Sequence, residues 1–141
     1  MFIGHYEHTV DDKGRLIIPS DYRKLLGKLF VLVKGLDKAI TIYPKDEWEK
    51  EAKRLSSFSY RQKHVRDYVR PFYASATKVS LDRQGRICIP ITLRKEARIQ
   101  KEVVINGMGS FAEIWAREEW DRFKQEADAV YEERAELLEE I

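Results

Sequence analysis

The sequence predicts an α+β fold, mainly β, in which two copies of one small motif share a pseudo-two-fold core and each copy is followed by a helix. Three observations carry this. A nine-residue signature recurs at constant spacing, short apolar runs alternate with turn residues, and other stretches show helical periodicity.

The repeat comes first. Residues 11–24 and 82–95 are identical at seven of fourteen positions at an offset of 71. The matches are Asp11/Asp82, Gly14/Gly85, Arg15/Arg86, Ile18/Ile89, Pro19/Pro90, Arg23/Arg94 and Lys24/Lys95. With common residue types each at roughly 5–7% of ordinary composition, chance does not produce a shared D-x-x-G-R-x-x-I-P. After a one-residue insertion, Val31-Leu32-Val33 is expected to match Val103-Val104-Ile105, and 42–48 to match 114–120. The expected organisation is repeat one at 5–47, a helical linker at 48–75, repeat two at 76–119 and a C-terminal helix at 120–141.

Within repeat one, 6–10 reads as a strand that turns through Asp11-Asp12-Lys13-Gly14 into a second strand at 15–18. Gly14 supplies the positive φ of a short hairpin, and Asp is a natural turn opener because its carboxylate accepts nearby amides. Pro19 ends the strand, Ser20 and Asp21 can cap a short helix through Leu26, and Gly27 stops it. Residues 31–33 and 39–43 form a second hairpin around 35–38. Pro44, Asp46 and Glu47 open a helix with Trp48 on its inner face. In the linker, Val65, Tyr68, Val69 and Phe72 share a helical face over 58–73, and Arg70-Pro71 is expected to end that helix. From Glu118 to Ile141 strong helix formers run without a breaker, with Phe123, Ala127, Val130, Tyr131 and Leu138 as an apolar stripe. One copy alone exposes too much apolar surface, so the two are expected to cover each other and present two equivalent turns.

Composition bounds the function. Hydrophobic residues are 43% and charged residues 35% of 141, enough for a packed interior under a charged surface. No apolar run suits a bilayer crossing and the N-terminus lacks a signal-peptide layout, so a soluble cytoplasmic protein with no membrane partner is expected. The lone Cys88 excludes an internal disulfide, and its apolar neighbours suggest a buried structural thiol. The net charge of +2 conceals a division: residues 120–141 carry eight acids against three bases, so the remainder stands at +7. A polyanion would meet that basic body.

The chemistry lies in the turn D-x-x-G-R, present twice. Asp11 and Asp82 can brace Arg15 and Arg86 across the turn, while Gly14 and Gly85 let the backbone reverse and a phosphate approach. Arg suits bidentate contacts with phosphate or with guanine O6 and N7, and Lys13 and Arg83 would add phosphate contacts. Asp–Arg pairs also stitch hairpins with no ligand at all. The residues by themselves leave both readings open.

The stretch from His5 to Pro19, with its second-copy echo, resembles the MraZ family of bacterial transcriptional regulators, within the AbrB-like swapped-hairpin superfamily. The resemblance spans essentially the whole chain. It implies a β-barrel-like core of two AbrB-like repeats and a ring-shaped homo-oligomer. It also implies binding to double-stranded promoter DNA at direct repeats, in the division and cell-wall gene cluster and at the protein's own promoter, with nucleoid association. By motif position the DNA-contacting arginine is Arg15, with Arg86 in the second copy. Asp12-Lys13 stands where the second turn has Arg83-Gln84, so the turns need not contribute equally.

Other chemistry finds little support. His5, His8 and His64 have no metal-ligand spacing, and His5 and His8 fall on opposite faces of a strand. No nucleotide-loop or nucleophile motif occurs, so neither an enzyme nor a cofactor is expected. Tyr43, Trp48, Trp115 and Trp120 occupy equivalent repeat positions and read as core. The basic linker residues from Arg61 to Arg70 read as a solvated or subunit-contact face. The rival function is a ring-forming scaffold acting on protein partners through its acidic C-terminal helix.

Overall fold

A computed structural model describes residues 1–139. Repeat one contributes β1 (His5–Thr9), β2 (Arg15–Ile17), α1 (Ser20–Leu26), β3 (Phe30–Lys34), β4 (Ile40–Pro44) and α2 (Lys45–Ser56). After α3 (Lys63–Ser75), repeat two supplies β5 (Thr77–Val79), β6 (Arg86–Cys88), α4 (Ile91–Glu96), β7 (Glu102–Gly107), β8 (Ala112–Ala116) and α5 (Arg117–Ala129), followed by α6 (Tyr131–Glu139).

Six antiparallel strands form one sheet in the order β1-β7-β8-β4-β3-β5, and β2 pairs with β6 as a separate two-stranded ribbon. The pairing is swapped. β1 of repeat one pairs with β7 of repeat two, β5 of repeat two pairs with β3 of repeat one, and β4 meets β8 at the centre. Each repeat therefore completes the other's sheet.

The main core fills the space between one sheet face and a lid made of the ribbon, α1 and α4. Leu16, Ile18, Ile87 and Ile89 descend from the ribbon onto Leu32, Ile42, Ile105 and Ile114, with Tyr22 and Leu93 from the helices. The Tyr22 hydroxyl donates to the Ile3 carbonyl at 2.7 Å, which satisfies its polar end. The other sheet face is covered by helices. Val31 and Val33 meet Leu55 of α2 and Phe72 of α3, while Val104 and Trp115 meet Trp120 of α5.

Several expectations need correction. The α+β class and the two-repeat organisation hold, but helix takes 43% of the chain against 27% strand, and the barrel-like core is not a closed barrel. The sheet ends at edges β1 and β5, because helices rather than a returning strand cover its outer face. The third-strand match also shifts. Phe30 lies opposite Pro44 and Val103 opposite Ala116, so Phe30 corresponds to Val103 and Leu32 to Ile105. A slip of one residue would turn Val33 into the main core and Leu32 out of it. Arg70-Pro71 does not end the linker helix; Pro71 lies inside α3, exposed, with Val65 and Phe72 anchoring the helix on either side. That helix starts at Lys63, not near Phe58. The C-terminal helix is two helices, parted at Val130, where the Val130 N–H donates to the Ala127 carbonyl. Of its stripe, Phe123 packs on Trp115 and Trp120, whereas Tyr131 and Leu138 stand exposed. The expected helix end at Glu140 and Ile141 lies outside the described residues.

Candidate nucleic-acid interface

Both D-x-x-G-R turns adopt the same geometry. In the first, the Asp11 carboxylate accepts the backbone N–H of Lys13 and of Arg15 on one oxygen, each at 2.9 Å, and Arg15 Nε on the other at 2.7 Å. The Gly14 N–H donates to the Asp11 carbonyl at 2.9 Å, and Gly14 has φ +81°. In the second, Asp82 accepts Gln84 N–H, Arg86 N–H and Arg86 Nε at 2.9, 2.9 and 2.8 Å, and Gly85 has φ +77°. The Arg15 and Arg86 backbone amides are the main influence holding the two carboxyls below their ordinary values, with the guanidiniums adding to it. The bond through Nε orients each guanidinium and leaves its terminal amino groups without a protein hydrogen bond among the described residues.

The structure brings these turns to opposite ends of one ribbon. In β2–β6, Arg15 lies opposite Cys88, Leu16 opposite Ile87 and Ile17 opposite Arg86. Alternation sends Leu16 and Ile87 into the core, so Arg15, Ile17, Arg86 and Cys88 share the outward face. The side chains of Arg15 and Arg86 are 35% and 25% exposed, reachable from solvent and not sealed in the fold. As diagonal neighbours they are separated by about 7–8 Å, roughly two base-pair steps of about 3.4 Å. Lys13 and Arg83 are exposed at the two ends. Cys88 is exposed, not a buried thiol, because the ribbon's phase puts Ile87 inside; its Sγ lies 3.5 Å from the Lys13 carbonyl oxygen.

Sequence reasoning missed two residues that complete the turns. Arg94 of α4 has its guanidinium against Gly14, where a Cβ would come within 2.8 Å of Cζ, and Arg23 of α1 lies likewise against Gly85, at 2.3 Å. Arg94 Nε donates to the Ile89 carbonyl at 3.0 Å, and the Ile89 N–H donates to the Gly14 carbonyl at 2.9 Å. Arg23, Ile18 and Gly85 repeat the circuit at 2.9 and 3.0 Å. Each turn is thus locked by the other repeat. The available signal was the identity Arg23/Arg94 itself, which the linear sequence gave no reason to place near the opposite turn. The linker residues Arg61, Lys63, Arg66 and Arg70 do not join this group. They belong to α3 and the segment before it, which packs on the outer sheet face, and Lys63 and Arg66 are engaged locally by Asp67 and by the Tyr60 and Arg61 carbonyls.

Among the described residues no group of three or more His, Cys, Asp or Glu could hold a metal ion, and no helix is long and apolar enough to cross a membrane.

Comparison with known proteins identifies this architecture. The profile of the family described as "MraZ protein, putative antitoxin-like" matches residues 1–70 and again 72–139, one match for each repeat. The chain belongs to the MraZ family. It is 46% identical over 138 residues to the transcriptional regulator MraZ of Moorella thermoacetica, covering 98% of this chain and 96% of that protein. To the protein of the same name from Syntrophomonas wolfei it is 44% identical, with the same coverage. To that from Halothermothrix orenii it is 43% identical over 141 residues, covering 100% and 99%. The near-complete coverage means that the aligned region spans both repeats and the helices after each.

Proposed function

We propose that this chain is a sequence-specific regulator of transcription that binds double-stranded DNA through the outward face of the β2–β6 ribbon. The observation that supports it is the presentation of Arg15 and Arg86 on one rigid two-stranded ribbon, each oriented through Nε with its terminal amino groups unengaged. The major groove admits a two-stranded β-ribbon, and a guanidinium fits guanine O6 and N7 bidentately. Lys13 and Arg83, exposed at the ribbon ends, meet flanking phosphates. Asp11 and Asp82 brace the arginines, and Gly14 and Gly85 make the bends. The names of the relatives, transcriptional regulators, agree with this reading.

The finer proposal is that the chain assembles into a ring-shaped homo-oligomer on direct repeats in the promoter of the division and cell-wall gene cluster, its own promoter included. It would then be nucleoid-associated in the cytoplasm. Avidity around a ring multiplies individually weak contacts. The exposed Tyr131, Leu137 and Leu138 of α6 offer apolar surface for contact between copies.

The test is a fluorescence-anisotropy titration of the protein on a duplex from upstream of its own gene against a scrambled duplex, over a range of salt. Specific affinity should fall with salt at a log–log slope of about 0.9 per phosphate neutralised. Arg15→Ala should fold and assemble as the parent does while losing about 1–3 kcal/mol per lost bidentate contact. Equal binding of both duplexes by the parent refutes the regulator reading and favours a protein scaffold.

A further inference from the structure

We infer that Ile17 is a specificity-determining residue, reading the C5-methyl group of a thymine beside the base that Arg86 contacts. This rests on the ribbon being the DNA-reading face. Ile17 is 45% exposed and is absent from all three apolar clusters of the fold. It sits on the outward face in line with Arg15 and directly across the ladder from Arg86. An apolar side chain left this exposed amid guanidiniums contributes far less to folding than its strand neighbour Leu16, which supplies the inward contact.

The chemistry of the groove supplies its partner. Base edges in the major groove present donors and acceptors, with one apolar feature, the thymine methyl. A cross-strand pair holds its Cβ atoms about 4.5–5.5 Å apart, so a residue opposite Arg86 reaches a base pair next to the one Arg86 contacts, about 3.4 Å further along. Ile is β-branched and stiff at χ1, which presents its methyl surface with little entropy to lose. The pseudo-symmetric position is Cys88, opposite Arg15. The thiol has no branched methyl surface and lies against the Lys13 carbonyl. One end of the ribbon therefore depends on a pyrimidine methyl and the other does not, so a protein with two nearly matched turns reads an unsymmetric sequence.

The experiment begins with selection of a binding sequence from random duplexes by the full-length protein. Each thymine of the selected site is then replaced singly by deoxyuridine, which removes the methyl group and nothing else. Affinities are measured for the parent, Ile17→Ala and Ile17→Val. Burial of one methyl group corresponds to about a three- to fivefold change in affinity. The parent should lose that factor at one thymine of each contacted repeat, Ile17→Val should keep most of the discrimination, and Ile17→Ala should be indifferent to deoxyuridine while binding unrelated duplex as the parent does. Deoxyuridine tolerated at every position, or the same loss in the parent and in Ile17→Ala, overturns the inference while leaving DNA reading intact. If no sequence is enriched, the DNA-reading proposal fails and this one with it.

Discussion

The lock between repeats makes Gly14→Ala a sharp test of how the D-x-x-G-R turns are held. Two costs add. Gly14 has φ +81°, where an L-residue with a Cβ loses about 1–2 kcal/mol. The new Cβ would also come 2.8–2.9 Å from three atoms of the Arg94 guanidinium. That guanidinium is the far end of a flexible side chain and can withdraw, but in doing so it surrenders its bond to the Ile89 carbonyl. A hydrogen bond from a charged donor contributes about 1.5–3 kcal/mol. Gly14→Ala is therefore expected to cost about 2.5–5 kcal/mol in all. Urea denaturation at one fixed protein concentration, followed by circular dichroism, gives the value, with an unchanged m confirming that the transition is comparable. The decisive comparison is the same substitution in an Arg94→Ala background. There only the backbone cost of about 1–2 kcal/mol should remain, a coupling of about 1.5–3 kcal/mol between residues far apart in sequence. Gly109→Ala, with φ +82° and open space around the new Cβ, controls for the backbone part. If Gly14→Ala costs the same in both backgrounds to within about 0.5 kcal/mol, Arg94 does not lock the turn.

Other consequences are as direct. The folded carboxyls of Asp11 and Asp82 lie below their unfolded values, so the bracing contributes fully at neutral pH and is lost as pH falls through those folded values, below about 4; carbon-detected NMR titration of both carboxyls should give this depression, and unperturbed values would contradict it. Pro71→Ala restores an N–H within α3 at an exposed site and should stabilise the protein by about 1–2 kcal/mol in urea, net of the entropy proline removes from the unfolded chain. Chain cleavage in the exposed stretch between α2 and α3 should yield fragments that are largely unfolded apart and regain the circular dichroism of the parent when mixed, because β1, β2, β5 and β6 have all their strand pairing, and β3, β4, β7 and β8 part of it, across the cut; a fragment folded alone would show that the swap is dispensable.

The sequence carried the repeat, the turns and most element boundaries because these are local: Asp, Gly and Arg at fixed spacing determine a bend whatever surrounds it. What it did not carry was phase and partnership. β3 is buried on both faces, so Phe30-Val31-Leu32-Val33 lacks the alternation that would fix its match to Val103-Val104-Ile105, and sequence identity alone leaves that match one residue out. The exposure of Cys88 is hidden in the sequence for a related reason. Ile87-Cys88-Ile89 is uniformly apolar, and which members point inward depends on a ribbon formed with Arg15, Leu16 and Ile17, far away in the chain. Arg23 and Arg94 were visible as identities, but helix residues five positions past the Ile–Pro step acquire a role only through the swap. The intrinsic preference of Pro71 to end a helix is overridden in α3 by the packing of Val65 and Phe72.

The swap bears on how recognition would work. A turn supported only by its own hairpin could adjust to several sequences. Here Gly14 and Gly85 are each covered by an arginine from the other repeat, and each turn's glycine carbonyl accepts an amide from the opposite strand. Neither end of the ribbon can relax without disturbing the other, so on the proposed reading the guanidiniums would meet a duplex already ordered, and little affinity would be lost in arranging them. The exposed ends escape this constraint. Lys13 is the third residue of its turn and Arg83 the second of its own, so even with two equivalent bends the flanking cations are offset by one residue. Any phosphate contacts they make must therefore differ in position at the two ends, which adds a second asymmetry to the one set by Ile17 and Cys88.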